Sequence, residues 1–341
     1  MIHDSGPRGF LRRHRSALAL VVGVMLVTVL AQARPSLYST SATVGILALI
    51  ALPLGLMYGQ GGTISIAQGT FAAMGGYTSA ILASHFGWSP LTSVFPAILM
   101  PAAFAFAIAR PILRLPELSL ALATLALNTV FLVGVERGGW LTGEYVGLSG
   151  IPRLPGIETS RFWSHVAIWL LVLIAVVLYS TFLGTARGRA LNTVRVDRIL
   201  AESMGVSVAM DLAILFAVTA GVAGLAGWFY VHYVGYVAPD SLGIHVSANA
   251  LFMVVIGGRK TVLGPVVGAA IFILASDFLP GTETQGIFFG AILVLVLLLF
   301  PDGLLSLRFR RNGPRGLAPA PLTVGGADNQ ASDTVRSGRW R

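Results

Sequence analysis

Long apolar runs separated by short polar segments make up most of the chain. A helix needs about 20 apolar residues to cross the hydrocarbon core of a bilayer, and the runs here are of that order. Spans are predicted at about 16–33, 41–58, 69–85, 90–109, 117–135, 164–183, 212–235, 239–258, 262–279 and 285–305. The pattern predicts an all-α, polytopic helical membrane protein with about ten transmembrane spans in one domain, residues 16–305. A basic tail, residues 1–15, precedes this domain. A tail rich in Arg, Gly, Pro and Ser, residues 306–341, follows it and is predicted to be disordered.

The longest polar interruption is the stretch 184–205, GTARGRALNTVRVDRILAESMG. Its middle is predicted to be an amphipathic helix, because apolar residues recur largely at three- and four-residue steps. These residues are Ala190, Leu191, Val194, Ala201 and Met204. Arg198 and Glu202 are spaced to meet across one turn, and Gly205 stands where a left-handed cap would end the helix. Two interpretations remain open: a docking element for a soluble partner, or an interfacial helix that anchors the loop to lipid headgroups.

A glycine-rich break, GQGGTISIAQG (59–69), separates the second and third predicted spans. Non-helical backbone at membrane depth is tolerated only within the protein or around a cavity. The break is therefore either a discontinuous helix beside a solute path or a plain loop between two spans. Mid-span polar residues are otherwise few, and they include Gln68, Thr124 and Asn128.

Composition and charge support the membrane assignment. Of the 341 residues, 55% are hydrophobic and 11% charged, with a mean hydropathy of +0.80, whereas soluble domains have about 25% charged residues. The chain contains no cysteine, which excludes disulfides and thiolate metal sites. The net charge of +9 is explained by basic residues that flank the spans rather than by binding to nucleic acid.

The distribution of the basic residues predicts an orientation. If the N-terminus lies inside and ten spans alternate, 19 of the 23 Lys and Arg residues lie on the cytoplasmic side. This asymmetry is the one expected from the positive-inside rule. Both termini and the stretch 184–205 are then cytoplasmic.

The distribution of chemically reactive residues disfavours ion coupling and catalysis. Glu117, Glu136 and Asp277 fall near predicted span ends, whereas ion-coupled carriers usually need buried carboxylates or histidines. The segment VIGGRKT (255–261) does not match a phosphate-binding loop, because Arg259 stands where Gly must precede the Lys. We expect His232 to act in helix packing.

Four stretches resemble one known family. They are GQGGTISIAQGTFAAMGGYTSAIL (59–82); LALATLAL (120–127) with LTGEYVGLSGIP (141–152); GRALNTVRVDRILAESMGVSV (188–208) followed by AGVAGLAGWFYVHYVGYVAPD (220–240) and VVIGGRKTVLGPVVGA (254–269); and LFPDGLL (299–305). They are similar, in the same order, to the LivM-type permease subunit of ABC importers for branched-chain amino acids. The chain departs from the family pattern at Ala67, Gln68, Glu144, Asp197 and Arg259.

The resemblance implies a non-enzymatic permease that needs no cofactor and works in the inner membrane among lipids. The implied partners are ATP-binding cassette subunits, a second homologous (LivH-like) permease and a periplasmic or lipid-anchored solute-binding protein. The loop 184–211 would be the coupling loop that docks on the ATPase, with Arg189, Arg195 and Glu202 facing it. The residues expected to couple are Arg187, Arg189, Arg195, Asp197, Glu202 and Gly205.

The break and the mid-span polar residues are the candidate translocation pathway: Gly59, Gln60, Ser65, Gln68, Thr124 and Asn128. The solute is expected to be a branched-chain or related small apolar amino acid. The alternative is an ATP-independent channel or facilitator for a small neutral solute such as urea or an amide, with the break 59–69 as its filter. A membrane-embedded enzyme is disfavoured, since no catalytic set is found.

Overall fold

We describe the protein from a computed structural model, which covers residues 15–156, 160–277, 290–291, 295, 298 and 303–306. The tails predicted at 1–15 and 306–341 lie outside the described residues except for Arg15 and Ser306. Most of the tenth predicted span, 285–305, lies outside them as well.

Eleven α-helices lie within the described residues up to Asp277. They are α1 Arg15–Ala33, α2 Ser36–Leu56, α3 Gln68–His85, α4 Pro90–Ile112, α5 Glu117–Glu136, α6 Arg161–Leu183, α7 Ala186–Val196, α8 Arg198–Ser203, α9 Val208–Val234, α10 Ile244–Gly257 and α11 Gly264–Asp277. A π-helical turn, Met57–Gly61, continues α2. Short 3₁₀ turns occupy Gly139–Leu141, Pro239–Leu242 and Leu304–Ser306. The all-α prediction missed one small feature, an antiparallel pair of two-residue strands, β1 Leu148–Ser149 and β2 Tyr236–Val237.

Seven of the described helices are long and apolar enough to cross a membrane. They are Ser16–Ala33, Ser36–Gly61, Pro90–Ile112, Glu117–Glu136, Arg161–Leu183, Val208–Val234 and Pro239–Gly257. A polytopic helical membrane protein is thus confirmed, whereas the count of ten remains a prediction. Two predicted spans, α3 and α11, are not among the seven. The described part of α11 has 14 residues and is about 21 Å long, which is shorter than the hydrocarbon core.

Helices α3 and α9 form the centre of the protein. Thirteen of the 18 residues of α3 are buried, and α9 packs against both α3 and α4. A Cβ added at Gly224 would overlap the carbonyl oxygen of Ala97, and one at Gly227 would overlap that of Ala72. The small residues spaced four apart along α9, Ala220 and Gly224 with Ala223 and Gly227, therefore bring helix backbones into contact. Large apolar side chains remain exposed on the outer helices, for example Leu118 on α5, as expected of a lipid-facing surface.

Helix ends gather in two groups at opposite ends of this bundle. The last residues of α2, α4 and α6 and the first turn of α9 all lie within reach of the loop that carries α7 and α8. We call this the charged end. The end of α9, the start of α4 and the loop after α5 meet at the other end, which we call the His232 end. This grouping is the one that alternating spans require.

Candidate functional site

The charged stretch 184–205 forms two helices rather than the single one predicted. Helix α7 ends at Val196, and Asp197 adopts an extended conformation with φ −153° and ψ 114°. The Asp197 carboxylate accepts a hydrogen bond from the backbone N–H of Leu200 at 3.0 Å, so it caps the start of α8. An aspartate that caps a new helix in this way necessarily interrupts the preceding one.

The end of α8 agrees with the sequence. Gly205 has φ +80° and its N–H donates to the carbonyl of Glu202, while the N–H of Val206 donates to that of Ala201. These two bonds form the Schellman pattern that favours glycine at this position. The predicted pair of Arg198 and Glu202 is also present, at 3.7 Å between Nε and Oε1.

The two helices divide their apolar side chains between two surfaces. Leu191, Val194 and Ala201 are buried against the bundle. Met204, which the sequence pattern groups with them, does not share this surface and is 68% exposed. Met204 belongs to a second apolar group, which we call the exposed apolar set: Val196, Ile199, Leu200 and Met204, with exposures of 75%, 80%, 50% and 68%. The steps of three, one and four residues between them are a helical signal that the sequence already contained.

Each of the four arginines in this loop contacts the end of a different membrane helix. Arg189 Nη1 donates to Gly184 O at the end of α6 at 2.7 Å, and Arg195 Nη1 donates to Gly59 O at 2.8 Å. Arg198 Nη1 donates to Leu113 O, which caps α4, at 3.4 Å. Arg187 Nε lies 3.8 Å from Asp211 Oδ1 in the first turn of α9. The guanidinium groups of the expected coupling residues thus point at their own chain.

The glycine-rich break is a helix interruption packed within the protein. The π-turn Met57–Gly61 ends at Gly62, which has φ +66°, and residues 62–67 are non-helical before α3 begins. A Cβ at Gly59 would overlap the carbonyl oxygen of Arg259, so only glycine fits here. Arg259 Nη1 also donates to Tyr58 Oη at 2.6 Å.

The six candidate pathway residues fall into two groups. Gly59 and the half-buried Gln60 lie at the π-turn, next to the charged end. Ser65, Gln68, Thr124 and Asn128 are all buried near the start of α3. There Thr124 Oγ1 accepts from the backbone N–H of Ile66 at 3.0 Å.

Sequence reasoning missed a fifth residue of the second group, Ser247 on α10. Its Oγ accepts from Gly69 N at 2.9 Å and from Asn128 Nδ2 at 3.3 Å. The starts of α3 and α10 therefore meet at one serine that also holds α5. We call Ser65, Gln68, Thr124, Asn128 and Ser247 the polar junction. A lone serine on an apolar helix gives no signal of such a role, because its partners are 178 and 119 residues away.

The amide of Gln68 has no hydrogen-bond partner among the described residues. Its side chain is 0% exposed, and both Nε2 and Oε1 are unpaired. A buried polar group without a partner is costly, roughly 1–3 kcal/mol, and calls for an explanation.

At the His232 end the hydrogen bonds are neutral and buried. His232 Nδ1 must donate to the carbonyl of Pro152, at 2.6 Å, because a carbonyl only accepts. In the neutral ring Nε2 then accepts from Ser79 Oγ at 2.7 Å. Ser93 Oγ lies 2.7 Å from Ser79 Oγ. His232 thus joins α3, α4 and α9, as expected of a packing residue.

The described residues contain no group of His, Asp and Glu side chains placed to hold a metal ion. Candidate function therefore rests on the charged loop and the polar junction.

Comparison with known proteins identifies one family. A family model described as "Branched-chain amino acid transport system / permease component" matches residues 36–297. The match includes α2 to α11 and the charged loop. No solved structure matches the chain.

Curated relatives belong to the same kind of system. The chain is 27% identical over 338 residues to the high-affinity branched-chain amino acid transport system permease protein LivM of Salmonella typhimurium, covering 89% of this chain and 80% of the relative. It is 28% identical over 286 residues to the LivM of Escherichia coli K12, covering 76% and 67%. It is 25% identical over 281 residues to the high-affinity branched-chain amino acid transport system permease protein LivH of the same strain, covering 76% and 91%.

Proposed function

We propose, since this chain belongs to the family of branched-chain amino acid transport system permease components, that it is the LivM-type permease of a binding-protein-dependent ABC importer. It translocates branched-chain or related small apolar amino acids across the inner membrane. ATP is hydrolysed by a separate subunit, and the permease itself performs no catalysis. The solute assignment rests on relatives described as transporters of branched-chain amino acids. A pathway with few charged side chains suits such a cargo, with selectivity left to the binding protein.

The observation that carries the proposal is the exposed apolar set on the charged loop. Apolar side chains that are 50–80% exposed on a polar loop are typical of a surface that a protein partner covers. We assign this surface to the ATPase subunit, with the loop 184–211 as the coupling loop. Asp197 lies between the two helices, Glu202 lies on the second, and Gly205 follows its end.

The importer proposal also includes a second permease, a membrane topology and a binding protein. The chain is similar to both LivM and LivH, which supports a second, homologous permease as its partner. Ten spans with both termini in the cytoplasm place the coupling loop beside the ATPase. A periplasmic or lipid-anchored binding protein then delivers the solute at the His232 end.

The polar junction is the proposed pathway-lining group within this chain. It combines Ser65, Gln68, Thr124 and Asn128 with Ser247, where the starts of α3 and α10 meet. Gly59 and Gln60 form the part of the broken helix nearest the cytoplasm.

Reconstitution tests the importer against the facilitator. The tagged chain is purified from its native membrane, its companions are identified by mass spectrometry, and the complex is placed in vesicles. An importer carries an ATP-binding cassette subunit and a second permease, and it takes up leucine only with ATP and binding protein. Equal leucine or urea uptake without ATP, by the chain alone, would replace the importer with the facilitator.

A cysteine-directed cross-link tests the docking surface. Because the chain has no cysteine, Ile199→Cys carries the only reactive thiol of this subunit. A short thiol-to-photoreactive cross-linker on it should join the purified chain to the added ATPase subunit. Val146→Cys is the matched control, since Val146 is 77% exposed at the other end of the bundle. Equal yields from the two positions would remove the docking assignment.

A further inference from the structure

The charged loop is attached to the bundle mainly through helix-end carbonyls. Its four arginines do not pair mainly with carboxylates; three of them donate to backbone carbonyls at the ends of α2, α4 and α6. The last carbonyls of a helix have no partner within the helix. They also carry the negative end of the helix dipole, which a guanidinium stabilises.

Of these three carbonyl bonds, the one made by Arg195 joins the residues farthest apart in the chain, and its partner lies on the broken helix. Its Nη1 lies 2.8 Å from the carbonyl oxygen of Gly59, 136 residues earlier in the chain. Arg195 is half-buried, so the bond is shielded more from water than those of Arg187 and Arg198, whose side chains are 64% and 43% exposed. Arg189, by contrast, reaches only five residues back, to the end of the helix that leads into the loop.

The backbone at Arg195 is also in direct contact with the break. A Cβ added at Gly62 would lie 2.9 Å from Arg195 Cγ and 3.3 Å from its Cα. Gly62 further needs its left-handed φ of +66° to turn the chain out of the π-turn. The end of α7 therefore rests on the π-turn at two points, the Gly59 carbonyl and the Gly62 Cα.

A short segment connects this contact to the polar junction. Residues 63–67 run from Gly62 to the start of α3, and Ile66 and Gly69 donate their N–H groups to Thr124 and Ser247. Only this short non-helical segment separates the π-turn from the two bonds, so the π-turn and the polar junction are directly connected along the chain.

We propose that Arg195 is a positioning residue that ties the coupling loop to the broken helix, rather than a contact to the ATPase. Movement of α7 and α8 reaches the polar junction through Arg195, Gly59 and Gly62. The proposal rests on the importer function above and adds the route by which docking and solute passage are linked.

The test uses Arg195→Gln in the assembled complex, reconstituted with its ATPase, second permease and binding protein. Uptake of leucine and hydrolysis of ATP are measured on the same vesicles. Loss of one charge-assisted hydrogen bond is expected to lower leucine taken up per ATP hydrolysed by about tenfold. Hydrolysis itself and the amount of ATPase subunit that copurifies stay at the wild-type level. Arg195→Lys, which still donates to one carbonyl, should recover part of the loss.

Arg114→Gln is the matched control, because Arg114 is an exposed arginine near the same end with no bond to the loop. It removes the same charge and should leave uptake per ATP unchanged. If Arg195→Gln keeps the wild-type uptake per ATP, Arg195 does not connect the coupling loop to the broken helix. If the ATPase subunit no longer copurifies, Arg195 serves docking instead. Failure of the wild-type complex to couple uptake to ATP would reject the importer function itself, which separates the two hypotheses.

Discussion

Different chemistry holds the helices together at the two ends of the bundle. At the charged end, four arginines reach from one loop to four helix ends, and the side chains of Arg187 and Arg198 are 64% and 43% exposed. At the His232 end, His232, Ser79 and Ser93 are 0% exposed and bond to one another and to Pro152. Exposed charged contacts exchange readily with water and contribute little each. Buried neutral networks are rigid once every member is paired.

This difference suggests a division of labour. An importer that rocks between two states needs one region in which helices change their relations and one in which they keep them. The charged end has contacts that can break and re-form one at a time. The His232 end has a network that loses its stability if any member leaves.

The largest effect on stability is expected from His232→Leu, which disrupts the hydrogen-bond network at the His232 end. The substitution removes the bonds to Ser79 and Pro152 and leaves buried hydroxyls short of partners, at a cost of about 2–4 kcal/mol. The thermal unfolding midpoint of the purified chain in detergent should fall clearly. His85→Leu, at an exposed histidine, is the control and should change the midpoint little. Equal midpoints for the two variants would mean that the His232 network does not stabilise this end of the bundle.

The second effect is at the polar junction, between the two ends. Gln68→Met removes an unpaired buried amide and replaces it with an apolar chain of similar length. We expect the free energy of unfolding to rise by about 1–3 kcal/mol, the cost of the unpaired group, while ATP-driven uptake falls. Gln60→Met is the control, because Gln60 is only half-buried and its amide is not among the unpaired buried groups, so its loss should not stabilise. A less stable Gln68→Met would show that the amide has a structural partner.

The third effect returns to the charged end, at the residue that ends α8. Gly205 has φ +80° and nothing within 4 Å of an added Cβ, so a substitution acts through backbone strain alone. Gly205→Val is expected to cost about 1–2 kcal/mol locally and to impair ATPase turnover driven by the binding protein, without lowering the yield of inserted chain. Gly205→Asn, which tolerates this conformation better, should retain more turnover. Equal ATPase turnover in Gly205→Val and in the wild type would contradict a role of α8 in docking.

Local features of the chain were predictable from the sequence. The Gly205 cap, the Arg198–Glu202 pair and the apolar spans depend on residues within one or two turns. The start of α8 at Asp197 also had a local signal, since aspartate is a typical residue at the start of a helix. This signal was missed because the apolar spacing continues from α7 into α8.

Contacts between distant segments could not be predicted in the same way. The bonds of Arg195 to Gly59 and of Gly69 to Ser247 join residues 136 and 178 positions apart. No periodicity encodes such a pair, and a two-residue strand such as β1 is too short to show alternation. The central position of α3 was equally hidden, because apolar spacing predicts a helix without saying which neighbours surround it.

The smallest effect is expected from Arg198→Gln, and it sharpens the comparison most directly. Arg198 donates to Leu113 O at 3.4 Å and pairs with Glu202 at 3.7 Å, both at an exposed position. Such contacts are worth about 1 kcal/mol or less, so uptake per ATP should fall less than twofold and stability should not change. Arg195→Gln makes the same change in charge three residues earlier, at a half-buried side chain with a 2.8 Å bond. If the charged end works through individual bonds, the two variants must differ. If Arg198→Gln uncouples as strongly as Arg195→Gln, the loop is held by its total charge, and raising the salt concentration should then uncouple the wild-type complex as well.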